Sequence, residues 1–199
     1  MKIKLTITLL ILNFVSYSQT GVDYLNSAIK KVKLNEYKGA IADFTKAIEL
    51  NPNYSNTYSD RAICKNYLGD FSGSIKDCNK AIELDPNNFA AYSQRGKNKI
   101  DLGDHRGNIA DQSKAIEIKP NAYSYYERGL SKGELNDDLG AIADYSRAIE
   151  LDKDDAYSYY NRGICKLNSK QKESACEDFS KAGELGFDKA YEAIKKYCY

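Results

Sequence analysis

An all-α solenoid, built from paired helices stacked along the chain, is the fold this sequence predicts. Three observations carry the expectation. The string Ala47-Ile48-Glu49-Leu50-Asn51-Pro52 returns as Ala81-Ile82-Glu83-Leu84-Asp85-Pro86, again over 115–120 and 148–153, and more weakly from Ala182. The alanines that open these copies are 34, 34, 33 and 34 residues apart, and a fixed period of that length marks stacked units, none of which buries its apolar face alone. Between the copies apolar residues recur at helical spacing, and with 3 prolines in 199 residues few helices are interrupted.

In chain order, residues 1–18 stand apart from the repeats. Lys2 and Lys4 form a small positive region, and Leu5 to Val15 is mostly apolar. Ser16-Tyr17-Ser18 then places small residues at the −3 and −1 positions of a cut before Gln19. This is the pattern of a secretory signal peptide. The apolar run falls short of the ~20 residues of a membrane span, so an uncleaved anchor is the lesser alternative. A lipid-modified cysteine at the cut is excluded, since no Cys precedes Cys64. The chain is therefore expected to be exported, periplasmic or secreted, with no integral membrane span after cleavage.

Residues 55–88 show how one unit is built. Tyr58, Ala62 and Tyr67-Leu68 mark an amphipathic first helix, and Gly69-Asp70 is a turn signal. Ile75, Cys78, Ala81 and Ile82 form a second apolar stripe, and Pro86 closes the unit because proline cannot continue a helix. The last segment, 188–199, differs: Ala190, Tyr191, Ile194 and Tyr197 recur at helical spacing. It reads as a C-terminal capping helix over the apolar face of the last repeat.

These repeats resemble the tetratricopeptide repeat (TPR) family. The first aromatic position is filled by Tyr24, Tyr58, Tyr92, Tyr125 and Tyr159. The first small position is Ala28, Ala62, Gly96, Gly129 and Gly163, and the late alanine is Ala47, Ala81, Ala115, Ala148 and Ala182. The resemblance implies a right-handed superhelical α-solenoid of TPR helix–turn–helix units. Five repeats would fill 19–187, at about 21–54, 55–88, 89–121, 122–155 and 156–187. Lys153 and Phe187 replace the closing proline in the last two units, and unit three carries His105, Asn108 and Gln112 where the family has packing residues.

Three charged positions also recur. Lys31, Lys65, Lys99, Lys132 and Lys166 share one place in the first helices, with Arg61, Arg95, Arg128 and Arg162 one turn earlier and Ser27 in unit one. Asp43, Asp77, Asp111, Asp144 and Asp178 share one place in the second helices. Antiparallel packing makes these a structural ion-pair ladder, each pair contributing ~0–1 kcal/mol if exposed.

Five cysteines, Cys64, Cys78, Cys165, Cys176 and Cys198, leave at least one unpaired within an exported chain. Antiparallel helices oppose residues equidistant from their turn. Both Cys165–Cys176 and Cys176–Cys198 satisfy this rule, and Cys176–Cys198 is favoured because it pins a terminal helix that otherwise frays.

Composition narrows the function. The 29 Lys and Arg against 28 Asp and Glu give +1, without the basic surplus of a nucleic-acid binder. A single His and the lack of any Cys-x-x-Cys spacing support neither a metal site nor a redox motif. No phosphate loop, nucleophile elbow or His-Glu-x-x-His occurs, so no catalytic residue and no cofactor are expected.

The resemblance places a concave groove along the first helices. In unit one it maps onto Val22, Leu25, Ile29 and Val32; in unit four onto Tyr123, Tyr126, Leu130 and Gly133; in unit five onto Tyr157, Tyr160, Ile164 and Leu167. The function implied is a scaffold or adaptor that binds a peptide segment of another protein there. A cell-envelope glycan-binding module and a self-associating structural subunit, hence a homo-oligomer, are the alternatives.

Overall fold

The computed structural model of the chain describes residues 20–199, and the expected signal segment lies outside them. Every regular element among the described residues is helical. The helices are α1 (20–33), α2 (Tyr37–Leu50), α3 (Ser55–Tyr67), α4 (Phe71–Leu84), α5 (Phe89–Asp101), α6 (His105–Ile118), α7 (Ala122–Glu134), α8 (Asp138–Leu151), α9 (Ala156–Asn168), α10 (Lys172–Glu184) and α11 (Lys189–Tyr197). They form an all-α helical-repeat solenoid in two compact units, one ending at Asn98 and one beginning at Lys99.

The turns between paired helices follow one rule. Asn35, Gly69, Gly103, Asn136 and Lys170 stand at equivalent positions, all with φ between 59° and 78°. The left-handed conformation ends the first helix and suits Gly and Asn; Lys170 adopts it at a steric cost. Asp70, Asp104 and Asp137 then cap the second helices, each carboxylate accepting from the backbone N–H three residues on.

In the first unit, Phe44 with Ala28, Ala40 and Cys64 forms one apolar cluster. Tyr58, Ala62, Cys78, Ala81 and Ala91 form the next. A buried amide is built into the same unit. Asn98, fully buried, donates to Ser74 Oγ (2.7 Å) and accepts from Asn66 (2.8 Å), while Ser74 donates to the Ala62 carbonyl. Every polar group of this cluster has a partner, which is the condition for burying it at little cost.

In the second unit, Tyr145 packs on Ala141 and Cys165, and Phe179 packs on Ala175 and Ala193. Gly129 and Gly163 make room for these rings: an added Cβ would lie 2.9 Å from Tyr145 and 2.7 Å from Phe179. A disulfide joins Cys176 of α10 to Cys198 just past α11, with Cα atoms 5.8 Å apart. Cys64, Cys78 and Cys165 are buried and form no disulfide.

The recurring charges form the expected ion-pair ladder, and it is buried rather than exposed, so the surface-pair value does not apply to it. Asp77, Asp144 and Asp178 are buried, and each takes two hydrogen bonds from one arginine, Arg61, Arg128 or Arg162, at 2.7–2.8 Å. Each also holds a lysine, Lys65, Lys132 or Lys166, at 2.7–2.8 Å. The arginines reach back to the preceding repeat, donating to Thr45, Ser113 and Ser146. Their guanidinium groups lie 5.5–5.7 Å from the rings of Tyr58, Tyr125 and Tyr159. The first aromatic position of the repeat is thus an arginine cover. In unit one Ser27 and Lys31 both donate to Asp43 at 2.6 Å.

Candidate functional site

The first helices divide the expected groove residues into two sets. In unit one, Leu25 and Val32 pack against the Phe44 cluster, while Val22 and Ile29 are 51% and 40% exposed. In unit four, Tyr126 and Leu130 pack against the Tyr145 cluster, leaving Tyr123 44% exposed. In unit five, Tyr160, Ile164 and Leu167 pack against Phe179 together with Ile194 and Tyr197 of the capping helix. Tyr157 remains 57% exposed. A 3.6-residue helix turns only one side outward, so the packed positions support the core while Val22, Ile29, Tyr123 and Tyr157 stand exposed.

Phe187 explains much of unit five. It stands where the first three repeats have proline, and its ring lies 4.9 Å from that of Tyr160 and 5.0 Å from that of Tyr157. Tyr160 is held between Phe187 and Phe179, whose ring is 5.6 Å away. Tyr160 is therefore a packing residue, and Tyr157 has one side braced and one side open.

The outward tyrosines converge on a cleft of about 390 Å³, lined by Ala122, Tyr123, Tyr126, Asp152, Asp155 and Tyr157. Three of these, Tyr123, Tyr126 and Tyr157, belong to the groove expected from sequence. Asp152 and Asp155, in the turn between α8 and α9, do not. Their signal was present: Ala-Tyr-Ser-Tyr-Tyr occurs identically at 122–126 and 156–160, and the acidic run Asp152-Lys153-Asp154-Asp155 leads into the second copy.

The cleft is braced. Asp155 caps α9, accepting from the Tyr157 N–H at 3.1 Å and from Ser158 Oγ at 2.5 Å. Asp152 accepts from the Asp154 N–H at 3.1 Å. Tyr126 accepts from Asn161 at 3.4 Å. Burial, with the negative charges of Glu127 and Asp155, pushes the Tyr126 phenol up to about 12, so it is a neutral hydroxyl at physiological pH.

Among the described residues, no group of three or more His, Cys, Asp or Glu side chains could hold a metal ion. No helix among them is long and apolar enough to cross a membrane. His105, the lone histidine, opens α6.

Comparison with known proteins gives the class. Tetratricopeptide-repeat family models match residues 31–54 and 55–88, and a TPR-repeat model matches 131–167. No curated protein matches the sequence. Among solved structures, MamA from Desulfovibrio magneticus RS-1 is 19% identical, with a TM-score of 0.75 over 83% of this chain and 94% of that one. YrrB, described as a TPR protein with an unusual peptide-binding site, is 21% identical, with a TM-score of 0.71 over 86% of this chain and 90% of that one. The first TPR of Spaghetti (RPAP3), bound to the HSP90 peptide SRMEEVD, is 26% identical, with a TM-score of 0.58 over 59% of this chain and 94% of that one.

Repeats of this kind make the chain a protein–protein interaction module. The chain is a tetratricopeptide-repeat protein.

Proposed function

We propose that this chain is an exported, non-enzymatic adaptor that binds an extended segment of a partner protein on the outward face of its first helices. The observation that carries this reading is the cleft lined by Tyr123, Tyr126 and Tyr157. Tyrosine gives a large contact area at low entropic cost and keeps a polar tip, the combination that anchors protein interfaces. The cleft is supported from behind by the Tyr145 core and by Phe187, so little ordering is needed on binding. Export is supported by the pattern of residues 1–18 and by the Cys176–Cys198 disulfide, a bond that persists in oxidising compartments.

The test is a cross-linked affinity capture from the native cell envelope, using the chain from Gln19 onward. The Tyr123→Ala/Tyr157→Ala variant runs beside it, after circular dichroism confirms its helicity. Both tyrosines are exposed, so the change spares the core. The expected outcome is a protein retained by the native chain and lost by the variant. A partner retained equally by both moves the site elsewhere. Recovery of the chain alone favours self-association through Val22 and Ile29 of unit one.

A further inference from the structure

We infer that the tyrosine cleft between α7 and α9 is a receptor for a cationic side chain, and that the partner segment seated there presents an arginine or lysine. The inference deepens the proposed function and rests on it: that reading places a polypeptide on the first helices, and this one states what the polypeptide carries.

The chemistry of the lining selects the occupant. Tyr123 and Tyr157 present exposed aromatic side chains, and Tyr126 contributes a third ring. Aromatic faces carry negative electrostatic potential and attract cations, most of all where water is displaced. Asp152 and Asp155 line the same cleft. Both carboxylates are fixed in place by backbone or hydroxyl donors. Neither is ion-paired among the described residues. Elsewhere in this unit the recurring carboxylates are neutralised: Asp144 holds Arg128 and Lys132, and Asp178 holds Arg162 and Lys166.

The acidic turn also belongs to this site alone. The equivalent turns read Asn51-Pro52-Asn53-Tyr54, Asp85-Pro86-Asn87-Asn88 and Lys119-Pro120-Asn121, whereas 152–155 holds three aspartates against Lys153. Fixed carboxylates beside aromatic faces repel an acidic peptide and complement a guanidinium, which stacks on rings and hydrogen-bonds to carboxylates at once. The Spaghetti repeat, by contrast, was solved with the acidic peptide SRMEEVD.

The experiment titrates the isotope-labelled chain, from Gln19 onward, with the blocked pentapeptide acetyl-Gly-Ala-Arg-Ala-Gly-amide and follows backbone amide resonances. Three further probes are the same peptide with lysine, with the neutral isostere citrulline, and with glutamate at its centre. The expected result is saturable shifts confined to 122–126 and 152–157 with arginine and lysine. Binding should be roughly tenfold weaker with citrulline and absent with glutamate. Asp152→Asn with Asp155→Asn should abolish the preference for arginine over citrulline while leaving the helices intact, because Asn also caps a helix. Tyr157→Ala should weaken the arginine, lysine and citrulline peptides alike.

Equal binding of citrulline and arginine at these residues would overturn the inference and leave the peptide-binding reading standing. Shifts there with chitotriose but not with the arginine peptide would make the cleft a glycan site and overturn both. No shift at these residues with any probe would likewise overturn the inference; the envelope capture then decides the broader reading independently.

Discussion

Arg128 ties together Asp144, Ser113 and the Tyr125 ring, so one side chain joins three helices. Asp144 is 3% exposed. Removing the arginine leaves a buried carboxylate with Lys132 as its remaining cation, and loss of one partner from a buried pair is far costlier than loss of a surface pair. Arg128→Met should therefore destabilise by about 2–4 kcal/mol, read as a fall in thermal midpoint of roughly 5–15 °C. Recurrence of these charges is plain in the sequence, but their burial is not. A period shows that Arg, Lys and Asp share a side, not whether the next repeat covers them. The free thiols follow the same logic. Burial pushes Cys64 up to about 11 and Cys165 up to about 12, with Asp138 adding to the second, so neither is a nucleophile near neutral pH. Both occupy one repeat position, with Asn98 and Ser131 in units three and four and the exposed Lys30 in unit one, and in units two to five that position is buried.

At the scale of the element, α6 is the anomaly. Its second-helix position that is Ala40, Ala141 or Ala175 in other repeats is Asn108, fully buried with neither amide atom hydrogen-bonded. The first unit shows the satisfied counterpart, Asn98 with Ser74. An unpaired buried amide is a standing cost. Asn108→Ala should raise stability by about 1–2 kcal/mol, and Asn98→Ala should lower it, both read from urea midpoints at unchanged slope. The polar character of α6 was legible from His105, Asn108 and Gln112; which polar atoms lack partners required the neighbouring helices. The same division applies to the turns. Gly69 and Gly103 announce a left-handed residue, whereas Lys170 reveals that conformation only through its register with them.

At the scale of the whole molecule, the capping helix decides how the array ends. α11 covers Phe179 and the inner side of α9 with Ala193, Ile194 and Tyr197, and the disulfide fixes it to α10. Cys198→Ser should cost ~3 kcal/mol in the chain-entropy account, given a sequence separation of 22 residues. Amide hydrogen exchange should rise first in α11, and a uniform rise across the second unit would show that the bond supports more than the cap.

By itself the sequence determined the repeat, the helix pairs, their turns and the tyrosine-bearing first helices, because period and apolar spacing are properties of the chain read along its length. Only the tertiary structure decided which tyrosines face outward. Tyr126 and Tyr160 share a repeat position, yet Tyr126 lines the cleft while Phe187 and Phe179 enclose Tyr160. Tyr123 and Tyr157 are left open, and the turn between α8 and α9 brings Asp152 and Asp155 beside them. Exposure and charge proximity depend on what packs from elsewhere in the chain, and spacing along one helix carries no record of that.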